Sequence, residues 1–238
     1  MKYRVSAYSD IGGRKKNEDA YVVCQSKKGI LAVAADGLGG CGDGEMASGL
    51  AITSLKQAYE KNPLFDINRC VEDINKAILH LQNHHGKSMK TTVAIVRIEA
   101  DHAIFAHVGD TRIYAFKNGQ VVFQSRDHSV AQMSVQCGEI APDQIRNHPD
   151  RNMLTRALGG SETVKLETTQ LKNDSYDAVL ICSDGFWEYI FENEMCMALQ
   201  NNSDPETWLE IMQNKLLYRT PDNNDNNTAI IIMKQGVQ

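Results

Sequence analysis

The chain has 238 residues, 42% hydrophobic, 23% charged and 7% aromatic, and its 25 Lys and Arg against 30 Asp and Glu leave a formal charge of −5. A chain of this length buries roughly 70% of the surface that its unfolded form exposes, so its core requires neither disulfides nor a structural metal. The acidic balance argues against non-specific attraction to nucleic acid or an anionic membrane, and no window approaches the ~18 uninterrupted apolar residues of a membrane span.

Residues 1–19 carry no apolar leader core, so neither secretion nor membrane insertion is expected. Apolar runs rich in β-branched and aromatic residues predict strands over 20–24 and 30–35. Patterns of period 3.6 then predict helices over about 44–60 and 66–84, the first with Met46, Leu50 and Leu55 on one side. Strands follow over 93–98, 103–108, 112–116 and 120–124, with Lys117-Asn118-Gly119 as a connecting turn, and a helix over 128–137. The remaining elements are a strand over 177–182, a helix over 205–218 and a strand over 229–233. Strands in neighbouring groups and helices in pairs do not fit β-α-β alternation, and predict an antiparallel, sheet-rich core with helices outside. No internal repeat or Pro- or Ser-rich linker divides the chain. Its six cysteines (Cys24, Cys41, Cys70, Cys137, Cys182, Cys196) are scattered without a Cys-x-x-Cys pair, so a reducing cytoplasm is the expected compartment.

Three of the apolar runs end on an aspartate beside a glycine: Asp36-Gly37, Gly109-Asp110 and Asp184-Gly185. Such pairs are also ordinary turn formers. With Glu18-Asp19 before one strand and Asp225 before another, however, the acids recur beside several short core strands. Carboxylates brought within a few Å of one another repel unless a cation neutralises them, and oxygen donors without a matching His and Cys set favour Mg²⁺ or Mn²⁺ over Zn²⁺. Convergence of these acids is not visible in the sequence.

Ordered motifs carry a resemblance: Arg14-Lys15-Lys16-Asn17-Glu18-Asp19, Ala35-Asp36-Gly37-Leu38-Gly39-Gly40, Thr91-Thr92, Val108-Gly109-Asp110-Thr111-Arg112, Asp127-His128-Ser129, Leu154-Thr155-Arg156-Ala157-Leu158-Gly159, Ser183-Asp184-Gly185 and Asp225-Asn226-Asn227-Thr228. Together, from about residue 4 to 233, the chain resembles the metal-dependent protein phosphatases of type 2C (PPM) in their minimal bacterial form. The resemblance implies an α+β fold over 1–238, a four-layer αββα sandwich whose central antiparallel β-sandwich is flanked by helix pairs, with a flap over about 128–160. It implies two Mn²⁺ or Mg²⁺ ions, and a weaker third in family members. Asp36 corresponds to the carboxylate bridging both ions, with the Gly37 carbonyl and Glu18 on the second, and Asp184 and Asp225 on the first. Asp110 and Asp184 correspond to third-ion ligands, together with the position of Glu188. Asp19 corresponds to an acceptor orienting water, and Arg14 to a phosphate-binding guanidinium.

The implied reaction is hydrolysis of phosphoserine or phosphothreonine in proteins by a metal-bridged water, without a phosphoenzyme. The implied partner is a phosphoprotein made by a separate serine/threonine kinase, and a monomer is expected. The alternative is a catalytically weak fold that binds a phosphoprotein or regulates a partner; a complete set of Glu18, Asp36, Asp184 and Asp225 argues against it. Three positions depart from the family. Leu38 stands where many eukaryotic relatives have a histidine general acid, and Glu188 stands where aspartate is usual. Lys90 stands where glycine is commoner, and the pattern gives no reading of it.

Other signals are weaker. Gly37-Leu38-Gly39-Gly40-Cys41-Gly42 satisfies a dinucleotide fingerprint, but Lys61-Asn62-Pro63-Leu64-Phe65 is a poor second strand. His80, His84 and His85 lack the acid that completes a zinc motif, and no Cys-x5-Arg loop supports cysteine-based phosphatase chemistry. Trp187, Trp208 and His128 are read as structural.

Overall fold

A computed structural model of the chain describes residues 2–39, 43–202 and 204–235, so Gly40 of the 35–40 motif and Cys41 lie outside the described residues. In chain order come β1 (Tyr3–Asp10), β2 (Asp19–Ser26), β3 (Gly29–Gly39), α1 (Gly44–Lys61), α2 (Ile67–His85), β4 (Met89–Thr91), β5 (Val93–Ile98), β6 (His102–Val108), β7 (Arg112–Lys117) and β8 (Gln120–Gln124). The second half adds α3 (Val130–Gln136), β9 (Glu167–Lys172), β10 (Ala178–Cys182), the single turn α4 (Asp184–Trp187), α5 (Glu192–Gln200), α6 (Pro205–Arg219) and β11 (Asn227–Lys234). One sheet runs β1-β11-β10-β7-β8; the other runs β2-β3-β5-β6-β9, with β4 paired to the far end of β3. The pairings are antiparallel.

Alternation along the strands builds the layers, because successive side chains leave a strand on opposite faces. In β3, Ile30, Ala32 and Ala34 meet the other sheet, while Leu31, Val33 and Ala35 meet α1 and α2. In β10, Val179 and Ile181 enter the same inter-sheet core, while Leu180 and Cys182 face the cluster containing Trp208 and Met212 of α6. The result is helix pair, sheet, sheet, helix pair, the predicted four-layer arrangement. Each fully buried Leu, Ile or Val contributes roughly 1.5–3 kcal/mol. Trp187 and Trp208 are fully buried, as their reading as core residues requires.

The differences from the sequence reading have local causes. On α1 the buried line is Ala47, Ala51, Leu55 and Tyr59, and Met46 is exposed, because small alanines let the helix lie close to β3. β9 was not expected; its Glu167-Thr168-Thr169-Gln170-Leu171-Lys172 is a mostly exposed edge strand with almost no apolar face. β1, β4 and α5 were also not expected: β1 alternates only weakly, while β4 and α5 are short. The 128–137 helix shortens to α3, where Ser129 caps by accepting from the Gln132 N–H.

Candidate active site

Both sheets present strand ends to one cleft of about 440 Å³, lined by Arg14, Glu18, Asp36, Asp110, Asp184 and Asp225 among others. These residues come from five separated stretches of chain. Asp36 lies near the end of β3, where its N–H donates to Thr92 Oγ1 (2.9 Å) and its carbonyl accepts from the Thr92 N–H (2.9 Å) and Thr91 Oγ1 (2.9 Å). Thr92 Oγ1 in turn meets Thr111 Oγ1 at 2.6 Å, tying the end of β3 to the approach of β7. Gly37 then passes the N-terminus of α1 so closely that a Cβ would lie 2.4 Å from Gly44 backbone and 2.6 Å from the Glu18 carbonyl oxygen. Glycine is required there by space.

Glu18 is held on three sides: its N–H donates to Asn226 Oδ1 (2.8 Å), its carbonyl accepts from Ser48 Oγ (2.6 Å), and Oε1 accepts from the Gly44 N–H (3.2 Å). Asp19, opposite Asp36 in the β2–β3 register, is buried behind the cleft lining and accepts from Ser183 Oγ at 2.7 Å. Asp225 accepts from Arg14 Nη2 at 2.7 Å, and both side chains are substantially exposed at the cleft mouth. Asn226 belongs to the Asp225-Asn226-Asn227-Thr228 motif, which by itself gives it no role. Its Nδ2 donates to the carbonyls of Ile11 (2.7 Å) and Lys16 (2.9 Å), so it staples the 11–18 loop against the approach to β11.

Asp110 follows Gly109, whose φ of +103° favours glycine. The Asp110 carbonyl accepts from Trp187 Nε1 (2.9 Å), and Arg112 stacks over that indole at 3.6 Å while forking onto Asp127 (2.9 and 2.7 Å). Sequence reading gave Arg112 and Asp127 no role; only their places in the quoted motifs marked them. Glu188 does not line the cleft. Its carboxylate is taken by Arg151, from Nε at 2.6 Å and Nη2 at 3.3 Å.

The electrostatics are those of a crowded acid cluster. Burial, then the charges of Asp19, Asp184, Asp110 and Asp225, hold the Asp36 carboxyl well above its usual range. Burial followed by Asp110 and Asp225 does the same to Asp184. Burial foremost pushes Asp19 up to about 6 and Asp110 up to about 7, and raises Glu18. An all-oxygen set whose members so oppose one another's ionisation fits hard divalent cations.

Among the described residues a second group, His107, His128 and Glu167, could approach a metal. His128 Nδ1 accepts from the Gly109 N–H (3.0 Å), so in the neutral ring Nε2 carries the proton and has no lone pair to offer. His128 instead grips Gly109 from both sides, its own N–H donating to the Gly109 carbonyl at 3.0 Å. His80, His84 and His85 are exposed on and near the last turn of α2.

Residues 8–221 match the family model for protein phosphatase 2C. The serine/threonine phosphatase stp of Listeria innocua is 30% identical over 193 residues, covering 76% of this chain and 77% of that protein. A putative protein phosphatase 2C-type of Streptococcus pyogenes is 30% identical over 206 residues, covering 82% of this chain and 84% of the relative. The crystal structure of serine/threonine phosphatase Stp1 from Staphylococcus aureus superposes with a TM-score of 0.89 at 27% identity, covering 99% of this chain and 96% of that one. The catalytic domain of the serine threonine protein phosphatase PstP, solved with two manganese ions, gives a TM-score of 0.83 at 26% identity and 97% coverage of both chains. With its motifs, its four layers and its acid-lined cleft, the chain belongs to the protein phosphatase 2C family of serine/threonine phosphatases.

Proposed function

We propose that this enzyme hydrolyses phosphoserine and phosphothreonine in proteins at the acid-lined cleft, with two Mn²⁺ or Mg²⁺ ions held by its carboxylates. The observation that carries the reading is the meeting of Asp36, Asp184, Asp225, Glu18 and Asp110 around one cleft with Arg14 at its mouth. In this assignment Asp36 would be the ligand common to both ions, the Gly37 carbonyl and Glu18 would serve the second, and Asp184 and Asp225 would serve the first. Asp110 with Asp184 suits a weaker third ion, whereas Glu188 is committed to Arg151 and is left out of the set. The ions, when bound, polarise the phosphoryl oxygens and lower the pKa of the attacking water.

The remaining steps belong to the protein. Arg14 offers a planar guanidinium to two phosphate oxygens of the dianion. Asp19, anchored by Ser183, orients the attacking water in line with the leaving oxygen. Leu38 carries no proton to donate, so the leaving alkoxide is protonated from solvent. The 128–160 segment acts as a flap: its Asn152 and Leu154 line the cleft wall.

The substrate's phosphomonoester is made by a separate kinase. Free Cys24, Cys70, Cys137, Cys182 and Cys196 suit a reducing cytoplasm. Among the described residues no helix is long and apolar enough to cross a membrane. The test is release of phosphate from an aryl phosphate and from a phosphothreonine peptide with Mn²⁺ and with chelator. Asp36→Asn should abolish release with an unchanged circular dichroism spectrum; hydrolysis that survives chelation or this substitution overturns the proposal.

A further inference from the structure

Lys90 has no place in the chemistry above, yet it stands beside the cleft. It belongs to β4, and its Cα partner across the β3–β4 pair is Leu38, which lines the cleft. Behind Leu38, Asn152 and Leu154 opens a second groove of about 440 Å³ that shares those three residues with the cleft. Among the described residues, the charged side chains lining this groove are Lys90 and Arg156, and no acidic side chain lines it. Among the described residues the Lys90 ammonium makes no ion pair or hydrogen bond, in contrast to Arg14 and Lys16 at the cleft, which reach Asp225 (2.7 Å) and Glu45 (3.7 Å). Arg156 donates from Nη1 to the Lys165 carbonyl (3.0 Å), and among the described residues none of its nitrogens is paired with a carboxylate.

A groove with two cations and no acid, on a chain of net charge −5, is a local inversion of the molecule's overall charge. We infer that this groove receives the substrate chain beside the phosphorylated residue, and that Lys90 selects phosphoproteins carrying a negative charge close to the phosphosite. The inference rests on the phosphatase reading above. Its reach follows from geometry. Paired Cα atoms in antiparallel strands lie about 4.5–5.5 Å apart, and an extended peptide advances about 3.3–3.6 Å per residue. That step spans about one to two residues, and the Lys90 side chain and the path from Leu38 to the phosphate lengthen it, so positions roughly two to four residues from the phosphoresidue are the ones to sample. Both a carboxylate side chain and a second phosphoryl group supply that charge, the latter as the stronger acceptor.

The test uses the full chain with saturating Mn²⁺ and a set of phosphothreonine peptides that differ at one position, two to four residues to either side of the phosphate. That position carries Gln, Glu, a non-hydrolysable phosphonate analogue of phosphoserine or Lys, and kcat/KM is measured for each by phosphate release. For the wild type, kcat/KM for Glu over Gln should be about two- to fivefold at the favoured position, and should decline as salt is raised. The phosphonate exceeding Glu would identify multiply phosphorylated segments as the source of charge; equality would identify acidic ones.

Lys90→Ala should bring the Glu/Gln ratio to about one, Lys90→Arg should retain it, and Lys90→Glu should favour the Lys peptide. Each ratio is internal to one protein preparation, so a partly unfolded variant does not mimic the result. Equal rates for Glu and Gln peptides in the wild type, or a wild-type ratio in Lys90→Ala and Lys90→Glu, overturns the inference while leaving the phosphatase reading intact. Failure to hydrolyse any peptide overturns both.

Discussion

Ser183 Oγ, just beyond β10, donates at 2.7 Å to Asp19 Oδ2 at the start of β2, and the same oxygen accepts from the Thr228 N–H at 2.9 Å. This contact joins the two sheets at the cleft end of the sandwich. Ser183→Ala would leave a buried carboxylate with one donor fewer and strand the Thr228 N–H. The expected loss is about 1–3 kcal/mol. It is read as a lower urea midpoint at unchanged m-value; a midpoint equal to wild type would show that the contact contributes nothing.

The acid cluster predicts an inverted pH dependence for the metal-free protein. The carboxyls of Asp19 and Asp110 titrate at about 6 and about 7 in the fold, and those of Asp36 and Asp184 are also raised, against ordinary values near 3.8 when unfolded. Between those limits the native state binds more protons than the unfolded state, so stability falls as pH rises. His128, depressed by burial to about 4 from 6.5, works in the opposite direction, but above pH 6.5 it can add no more than about 0.4 kcal/mol. In chelator, the urea midpoint should therefore be higher at about pH 6.5 than at about pH 8. Added Mn²⁺ should stabilise more at the higher pH, because ion binding competes with protons on the same oxygens. A metal-free midpoint that rises over this interval contradicts the crowding.

Asp36→Asn separates the two consequences of that crowding. Removing one of several mutually repelling buried charges should raise the thermal midpoint in chelator at about pH 8. Catalysis, which needs the carboxylate, should fall on the order of 10²–10³-fold or more. Calorimetry beside an aryl phosphate assay reads both, and a variant that is less stable and still active contradicts the assignment of Asp36.

Arg112 and Asp127 form a buried pair, with side-chain exposures of 3% and 2%. Asp127→Ala leaves the guanidinium buried against Trp187 without its bidentate carboxylate, with only Glu192 at 3.6 Å and the Tyr114 hydroxyl at 3.1 Å remaining among the described residues. The cost should be about 3–5 kcal/mol, far above that of removing an exposed partner. Because Trp187 Nε1 holds the Asp110 carbonyl, any loosening should also weaken a third-ion site before the other two. Denaturant titration gives the first quantity, and calorimetric counting of Mn²⁺ gives the second. A loss below about 1 kcal/mol would mean that solvent reaches the pair.

Most acids of the site are legible because they sit at or next to strand ends, although Asp36-Gly37 lies inside β3, which runs on to Gly39 and pairs there with β4. A strand that ends in Asp-Gly aims one carboxylate and then lets backbone approach, and the order of these motifs along the chain carried the family resemblance. The strands with clear apolar alternation were equally legible. What the local pattern lacked was contrast, as in the mostly polar β9 and the short α5, and those elements exist because a neighbouring sheet edge or helix supplies the burial.

The sequence by itself determined which carboxylates are available and that oxygen donors, rather than His and Cys, dominate the set. Only the tertiary structure decided that residues as far apart as Glu18 and Asp225 share one cleft, that Arg151 claims Glu188, and that Lys90 stands beside Leu38 with no ion pair among the described residues. The reason is physical: periodicity encodes which face of an element is buried, whereas the partner of a charge is chosen by packing across layers, among residues that the chain order does not bring together.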